Sequence, residues 1–377
     1  MSSKTIRTVT AAAAAIGLIA LAGSTMDSQD ASGMPEGSEE TFVVFPTYAA
    51  MGEDGSLTVP LRAWVFEPEY NSIRREIFEE ALEEVVDVED GTKAHAIYER
   101  RIQPFLVDNE RGKVVTAHLG EASWKLGESA PHGHITRTLE IPSDVAMEAI
   151  RAESGERWLE FRFTSEFGVE REVHVPVIAR EGVSVVSDID DTIKITEVLD
   201  REAMLRRTFA EEFEKVDRMP ELFDRLQARH DPVFHYLSAS PWQLFGELEP
   251  WMERAGYPQG PLHLRRVRPA NPASVHEFIQ ESRPHKISTL ERLLAHHPER
   301  SFILIGDSGE HDPEVYAEMA RRHPKRIERI YIREVSGAKN DEKRFQKAFD
   351  GVSSDKWQVF SNPDDVLTSS DSKGEKQ

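Results

Sequence analysis

The sequence lacks cysteine altogether and contains fewer basic than acidic residues. Without any cysteine in 377 residues, disulfides, thiolate metal sites and a cysteine nucleophile are excluded. Lysine and arginine total 46 against 67 aspartates and glutamates, which gives a net charge of −21. Because binding to a nucleic acid backbone requires a basic face, we do not expect a nucleic acid partner.

The apolar run Ala11–Ala22 is too short for a comfortable transmembrane helix, which needs about 20 apolar residues. It follows Lys4 and Arg7 and precedes small residues, a pattern that is typical of a secretory signal peptide. We therefore expect a signal peptide over 1–26, a polar linker over 27–40, and a periplasmic or extracellular location. An uncleaved membrane anchor is the alternative.

The remaining length suggests about two domains. Residues 41–180 contain short alternating segments such as Trp158–Phe163, which predict a strand-rich, β-sandwich-like domain, with a helical insertion over 70–86. From 181 to 367, short apolar runs alternate with helical patterns, which indicates an α/β domain with a Rossmann-like parallel sheet. A polar tail over 368–377 is expected to be disordered.

Five apolar runs are predicted as strands of this parallel sheet: Val183–Ser187, Val233–Leu237, Phe302–Ile305, Ile330–Ile332 and Trp357–Phe360. Helices are predicted over Trp242–Ala255 and Lys286–His296. Ligands of such sheets bind beyond the carboxyl ends of the strands, so catalytic residues should follow the runs directly.

Asp188 and Asp190 directly follow the first of these strands. A carboxylate at the end of a buried strand suits a nucleophile and a ligand of a hard metal ion. A second carboxylate two residues later points to the same side, where it would donate a proton and later accept one. The alternative is an ordinary acidic loop in an acidic protein.

Asp307 and Asp312 follow the strand Phe302–Ile305. A carboxylate at the end of a buried strand is costly unless it is paired or bound to a metal, and magnesium prefers oxygen ligands. The sequence Asp312-Pro313 is also a good helix start with Asp312 as the N-cap. Asp312 can therefore cap a helix, support a metal ion, or do both.

Ser238 follows the strand Val233–Leu237 and could donate a hydrogen bond to a phosphate, while Ser240 and Pro241 resemble an N-cap and first helical residue. Lys286 lies in the first turn of a predicted helix, where the helix dipole disfavours a cation. That cost suggests a nearby anion, although an ordinary surface lysine is the alternative.

These clusters occur in the order Asp, Ser, Lys, Asp, which resembles the four motifs of the haloacid dehalogenase superfamily of phosphohydrolases over residues 183–335. Four segments are similar to the actin-patch-associated phosphatidate phosphatase family: VVSDIDDTIK, YLSASPWQLF, HK-x-x-x-L and ILIGDSGEHDPEVY. That family joins such a catalytic domain to a preceding strand-rich region. The N-terminal half of this chain resembles it much less.

The resemblance implies a role for each matching residue. Asp188 would attack phosphorus and form an aspartyl-phosphate, and Asp190 would be the general acid and then the general base. Thr192 would orient their loop and belong to the substrate-binding residues. Ser238 and Lys286 would hold the phosphoryl oxygens and neutralise their growing charge.

The resemblance also implies a magnesium ion between Asp188, the carbonyl of Asp190 and Asp307, with Asp312 in support. The expected reaction is hydrolysis of phosphatidate to diacylglycerol. A soluble phosphate ester or a phosphoprotein is an alternative substrate. A non-catalytic binding protein on the same scaffold is a third hypothesis, but it predicts loss of an essential carboxylate, and all four are present.

Two further segments border the expected site. The insert over 195–229 would form at most a small lid. The segment His263–Arg268, with Arg265, Arg266 and Arg268, would either guide a phosphorylated head group or form ordinary surface ion pairs. No sequence feature predicts membrane contact by itself, and none identifies a protein partner.

Overall fold

The computed structural model describes residues 40–68, 73, 76, 82, 86, 88–153, 155–266, 282–335 and 342–366. The expected signal peptide and C-terminal tail lie outside these residues, as does the expected linker except for Glu40. The predicted helix over 70–86 falls mostly outside them, although positions 73, 76 and 82 are helical. No helix among the described residues combines the length and apolarity needed to cross a bilayer.

The chain divides into two compact units, with the main boundary between Ile178 and Ala179. The first unit resumes at Glu99 after an interruption, because Glu79–Tyr98 groups with the second unit. The boundary expected at residue 180 therefore lies two residues beyond the main division.

The first unit is rich in strands. They are β1 (Thr41–Val44), β2 (Ala49–Met51), β3 (Leu57–Glu67), β4 (Asp108–Asn109), β5 (Val114–Leu119), β6 (Ala122–Glu128), β7 (His134–Ile141), β8 (Arg151–Glu153), β9 (Glu156–Ser165) and β10 (Glu170–Ile178). Two helices interrupt them in the chain, α1 (Lys93–Leu106) and α2 (Ser143–Ala149). The first six residues of α1 belong to the segment that groups with the second unit. The main strand order is β1-β3-β2-β10-β9-β5-β6.

Alternation along the strands builds the core of the first unit. In β9, Leu159, Phe161 and Phe163 are buried, as the period-two pattern predicted, and Leu57 and Val59 of β3 join the same cluster. Strand pairing is mainly antiparallel, while β10 pairs with β2 in parallel.

The second unit contains a six-stranded parallel sheet and a small antiparallel pair. Its strands are β11 (Val183–Ser187), β12 (Lys194–Ile195), β13 (Glu214–Lys215), β14 (Val233–Pro241), β15 (Leu262–Arg265), β16 (Ser301–Asp307), β17 (Ile327–Arg333) and β18 (Trp357–Phe360). The parallel sheet has the order β15-β14-β11-β16-β17-β18, while β12 pairs only with β13. All five predicted parallel strands are found. The additional strand β15 overlaps the beginning of the basic segment His263–Arg268.

Six α-helices of the second unit are described: α3 (Arg201–Phe209), α4 (Met219–His230), α5 (Phe245–Ala255), α6 (Arg283–His296), α7 (Asp312–Arg322) and α8 (Glu342–Ala348). The insert over 195–229 contains α3, most of α4 and β13. Helix α3 begins where Asp200 accepts hydrogen bonds from two backbone N–H groups. Helix α5 ends at Gly256, whose φ of 88° is left-handed.

The buried side chain of Arg300 fastens the beginning of the central strand β11. Its guanidinium donates to the carbonyl of Ala179 at 2.9 Å, to the hydroxyl of Ser184 at 3.0 Å, and to the carbonyls of Glu181 and Val183. Burial lowers the pKa of Arg300 to about 10. These bonds satisfy backbone groups at the entry to the strand whose other end begins the site.

Three buried histidines lie together near β15: His235 in β14, His263 in β15, and His297 after α6. The ring centroid of His235 lies 5.6 Å from that of His263 and 6.1 Å from that of His297. Burial lowers the pKa of His235 well below its usual value. Burial, His235 and Arg300 together lower the pKa of His297 to about 2, so both rings are neutral at pH 7.

We expect neutral His297 to make stability depend on pH. Histidine in the unfolded chain titrates near pH 6.5, well above the folded pKa of about 2. Its contribution is therefore complete above about pH 6.5 and is lost as pH falls through that value towards 2. Between pH 7.5 and 5.5, this group should lower the free energy of unfolding by about 1.4 kcal/mol.

Chemical denaturation of the wild type and His297→Gln at both pH values measures this term. The variant removes the titrating ring and cancels the contributions of other groups in the comparison. The wild type should lose about 1.4 kcal/mol more than the variant on acidification. Equal losses of unfolding free energy in the two proteins would contradict a folded-state pKa of about 2 for His297.

Candidate active site

The polar clusters meet because their strands are neighbours in the sheet. The central strand β11 pairs with β14 on one side and β16 on the other, and all three run in the same direction. Asp188 follows β11, Ser238 lies near the end of β14, and Asp307 ends β16. The carboxyl edge of the sheet therefore brings together residues that are about 50 to 120 positions apart in the chain.

Asp188, Asp307 and Asp312 form a buried acidic triad. Their carboxylates each offer an oxygen atom, and these atoms all lie within 4.8 Å of one another. The prediction that Asp312 is an N-cap is wrong. His311 holds that position, and the Asp312 carboxylate makes no capping hydrogen bond, because it accepts instead from the Asp307 N–H at 3.3 Å.

The absence of a side chain at Gly306 makes room for this arrangement. A Cβ atom at Gly306 would lie 2.2 Å from Asp312 Oδ2 and 2.7 Å from the ring of Tyr316. Both distances are shorter than any normal contact, so only glycine permits Asp312 to fold back against the end of β16.

Lys286 is fully buried beside the acidic triad, so the surface-lysine alternative is wrong. Its Nζ lies 2.9 Å from Asp188 Oδ1, 2.5 Å from Asp312 Oδ1 and 3.0 Å from Glu310 Oε2. Burial would lower the pKa of Lys286, but the three carboxylates outweigh it and raise that pKa well above its usual value. They also offset the unfavourable position of a cation in the first turn of α6.

The single positive charge of Lys286 does not neutralise the four carboxylates of the triad and Glu310. Burial raises the pKa values of Asp188, Asp307 and Asp312, and repulsion between the carboxylates adds to it, while Lys286 acts in the opposite direction. Among the described residues, Asp307 Oδ2 has no hydrogen-bond partner, and Asp188 Oδ1 contacts Lys286 without hydrogen-bond geometry. Buried oxygens with excess negative charge fit a hard divalent cation, so these acidic groups could bind a metal ion.

Asp190 occupies a different environment from the triad. Its Oδ1 lies 2.8 Å from Lys194 Nζ, and its Oδ2 accepts from the hydroxyls of Ser238 and Ser240, both at 2.8 Å. Burial would raise its pKa, but the charge of Lys194 and these hydrogen bonds hold the pKa of Asp190 below its usual value. Its carboxylate lies outside the triad, and contact between its carbonyl and a metal stays a prediction.

The interpretation of Ser240 as an N-cap is wrong as well. Strand β14 continues through Pro241, a 3₁₀ turn begins at Trp242, and no side-chain hydrogen bond caps it. The hydroxyl of Ser240 is directed to Asp190 instead. Ser238 also contacts Asp190, so its predicted role as a phosphate ligand requires it to exchange partners when substrate binds.

Asp191 and Thr192 shape the loop that carries both carboxylates. Asp191 has a left-handed φ of 53°, and its side chain accepts hydrogen bonds from three successive N–H groups, at 196–198. Thr192 donates through Oγ1 to Asp188 Oδ2 at 3.2 Å. The hydrogen bond links Thr192 to Asp188, while its roles in orienting the loop and in substrate binding stay predictions.

Sequence reasoning missed Lys194, Glu310 and Arg344. The first two lie inside the quoted motifs, and the position of Lys194 between two isoleucines was an available signal of burial. Arg344 in α8 donates to the carbonyls of Ser308 at 2.6 Å and Glu310 at 2.7 Å, which holds the loop of the fourth motif. A contact 34 residues away has no local signal in the sequence.

The expected basic segment requires a correction at its beginning. His263 and Leu264 are buried in β15, so they do not contribute to an exposed patch. Arg265 and Arg266 are more exposed, while Arg268 lies outside the described residues. Their contact with a substrate stays a prediction.

A comparison with known proteins finds a matching family for the segment that carries the site. Residues 183–334 match the family model described as the catalytic domain of phosphatidate phosphatase APP1, a segment that contains every predicted site residue. This segment is therefore similar to the catalytic domain of that family, and the family resemblance drawn from the four motifs is confirmed.

Two relatives show how far the similarity extends. The chain is 37% identical over 163 residues to phosphatidate phosphatase APP1 of Saccharomyces cerevisiae, covering 42% of this chain and 27% of that protein. It is 32% identical over 165 residues to an uncharacterized protein of Schizosaccharomyces pombe, covering 43% and 26%. The matched segment thus spans about a quarter of each relative's length.

Replacing Gly306 by alanine should displace Asp312 and weaken metal binding. Because the added methyl group would overlap the Asp312 carboxylate, we expect magnesium affinity to fall by at least about 10-fold. Isothermal titration calorimetry with magnesium measures it. Gly120→Ala is the control: its φ of 57° is left-handed, so alanine costs stability there as well, but its Cβ meets nothing within 4 Å. Equal affinities in the two variants would contradict the packing argument.

Proposed function

We propose that the second unit is a Rossmann-like phosphatase domain of the haloacid dehalogenase type, which hydrolyses a phosphomonoester with magnesium. We also propose that the first unit is a β-sandwich-like domain. The observation that carries the proposal is the buried triad of Asp188, Asp307 and Asp312 at the carboxyl edge of a parallel sheet. Asp190 lies two residues from Asp188 but has separate partners, which suits two distinct chemical roles.

The proposed reaction has two steps. Asp190 is held as a carboxylate in the free site, so it first takes up a proton from solvent or from the substrate's phosphate monoanion as the substrate binds. An oxygen of Asp188 then attacks phosphorus, the phosphorus–oxygen bond of the ester breaks, and Asp190 gives its proton to the departing alkoxide. Asp190, now a carboxylate, takes a proton from water while the water oxygen attacks the aspartyl-phosphate. Inorganic phosphate leaves, Asp188 is restored, and Asp190 again carries a proton.

Other residues of the chain hold the reacting groups. Lys286 and Ser238 would bind phosphoryl oxygens, and Thr192 keeps the Asp188 carboxylate in place through its hydrogen bond. The residues that would hold magnesium are Asp188, the carbonyl of Asp190, Asp307 and Asp312. When bound, the ion shields the anionic nucleophile from the anionic substrate.

Phosphatidate is the proposed substrate and diacylglycerol the product, on the strength of the similarity to the yeast phosphatase. A soluble phosphate ester or a phosphoprotein would use the same residues. A non-catalytic binding protein is less well supported, because Asp188, Asp307 and Asp312 converge and Asp190 stands beside them. Export by the N-terminal segment and contact with a membrane are further parts of the proposal.

Asp188→Asn should abolish phosphate release. The amide cannot attack phosphorus as an anion, so we expect the rate to fall by at least about 10³-fold while the fold persists. Phosphate release from p-nitrophenyl phosphate, with magnesium and then with EDTA, measures it. Asp224→Asn, on an exposed face of α4, is the control. Comparable activity in Asp188→Asn, or full activity in EDTA, would refute the mechanism.

The substrate itself is tested by comparing phosphate release from dispersed phosphatidate, a soluble alkyl phosphate and a phosphopeptide. Phosphatidate should give the highest kcat/KM. A higher value for either soluble substrate would replace the lipid while leaving the chemistry intact.

A further inference from the structure

Lys194 is a second buried lysine in the catalytic domain, and the proposed reaction gives it no role. Its side chain is 2% exposed, and its Nζ lies 2.8 Å from Asp190 Oδ1. The same ammonium donates to Thr196 Oγ1 at 2.6 Å and lies 5.1 Å from the ring centroid of Phe213. A buried ammonium is stable only when nearby groups compensate its charge. The carboxylate, the hydroxyl and the aromatic ring provide that compensation for Lys194.

The two carboxylate oxygens of Asp190 have different partners. Oδ1 meets Lys194 and accepts from Thr196 Oγ1 at 2.9 Å. Oδ2 accepts from Ser238 and Ser240, each at 2.8 Å. Ser238 is the proposed phosphoryl ligand, so Oδ2 faces the substrate side and Oδ1 faces the protein interior.

Local structure holds Lys194 in this place. It lies in β12, where it pairs with Lys215 of β13, and the carbonyl of the preceding residue, Ile193, accepts from Tyr257 Oη at 2.9 Å. The ammonium therefore has little freedom to follow the carboxylate. The two buried lysines have different partners. Lys286 lies against the acidic triad, whereas Lys194 lies against Asp190.

We propose that Lys194 is a positioning residue that occupies Oδ1 of Asp190, so that Oδ2 is the atom that delivers and then receives the proton. The inference rests on the proposed phosphatase function. Without Lys194, the carboxyl group could rotate and present either oxygen to the interior. Proton delivery to the leaving oxygen would then be slower, while substrate binding would change little.

Lys194→Met tests this role through the leaving group of the substrate. An alkoxide needs a proton as it departs, whereas p-nitrophenolate leaves readily without one. We expect kcat/KM for a soluble alkyl phosphate to fall by about 10²-fold, and that for p-nitrophenyl phosphate by less than about 10-fold. KM should stay within about 3-fold for both, because Lys194 does not contact the substrate.

Lys215→Met is the matched control, since Lys215 is exposed on the strand that pairs with Lys194. It should leave kcat/KM unchanged for both esters. Thr196→Val is the second variant, because it removes the hydroxyl between Lys194 and Asp190 but keeps the backbone bond to Asp191. It should shift the ratio of the two esters in the same direction by a smaller factor, and it decides the question if Lys194→Met does not fold.

Equal losses on both esters in a folded Lys194→Met, or a change in KM alone, would overturn the assignment while leaving the phosphatase function standing. An unchanged ratio in Thr196→Val would overturn it too. If the wild type releases phosphate from neither ester with magnesium present, the proposed function fails and this inference fails with it.

Discussion

The structure of the site depends on burying several carboxylates at one edge of a parallel sheet. Asp188, Asp307 and Asp312 place oxygens within 4.8 Å of one another, where their repulsion is poorly screened by solvent. Lys286 compensates part of this charge from the first turn of α6. The remaining negative charge is the reason that a cation could bind here. Gly306 gives Asp312 the space it needs.

Asp188 and Asp190 show how one short loop can support the two chemical roles proposed for them. They are two residues apart, but Asp188 faces the triad and Lys286, while Asp190 faces Lys194 and two serine hydroxyls. The left-handed backbone at Asp191 turns the chain so that these environments stay separate. A nucleophile needs a free anionic oxygen, and a proton carrier needs one oriented oxygen, so different neighbours suit each.

Much of the catalytic unit could be predicted from local sequence. Short apolar runs placed the five predicted strands, and polar residues after them identified Asp188, Ser238 and Asp307. Helix starts were predicted less well, because Asp312 and Ser240 have good capping chemistry but pair with Lys286 and Asp190 instead. Strand β15 was missed, since its alternating basic residues hid a short edge strand. These errors arise where a distant partner competes with a local hydrogen bond.

The sequence by itself determined the family resemblance of residues 183–334, because motif order and strand periodicity are properties of the chain alone. It also determined the excess of acidic residues and the absence of thiol chemistry. Only the tertiary structure decided that Lys286 and Lys194 are buried and which carboxylate each one serves. The pairing of Lys286 depends on strand order, which brings it within 3 Å of Asp188 and Asp312 from distant parts of the chain, and no local pattern encodes those distances. Lys194 is only four residues from Asp190, but its burial depends on the elements that pack around it.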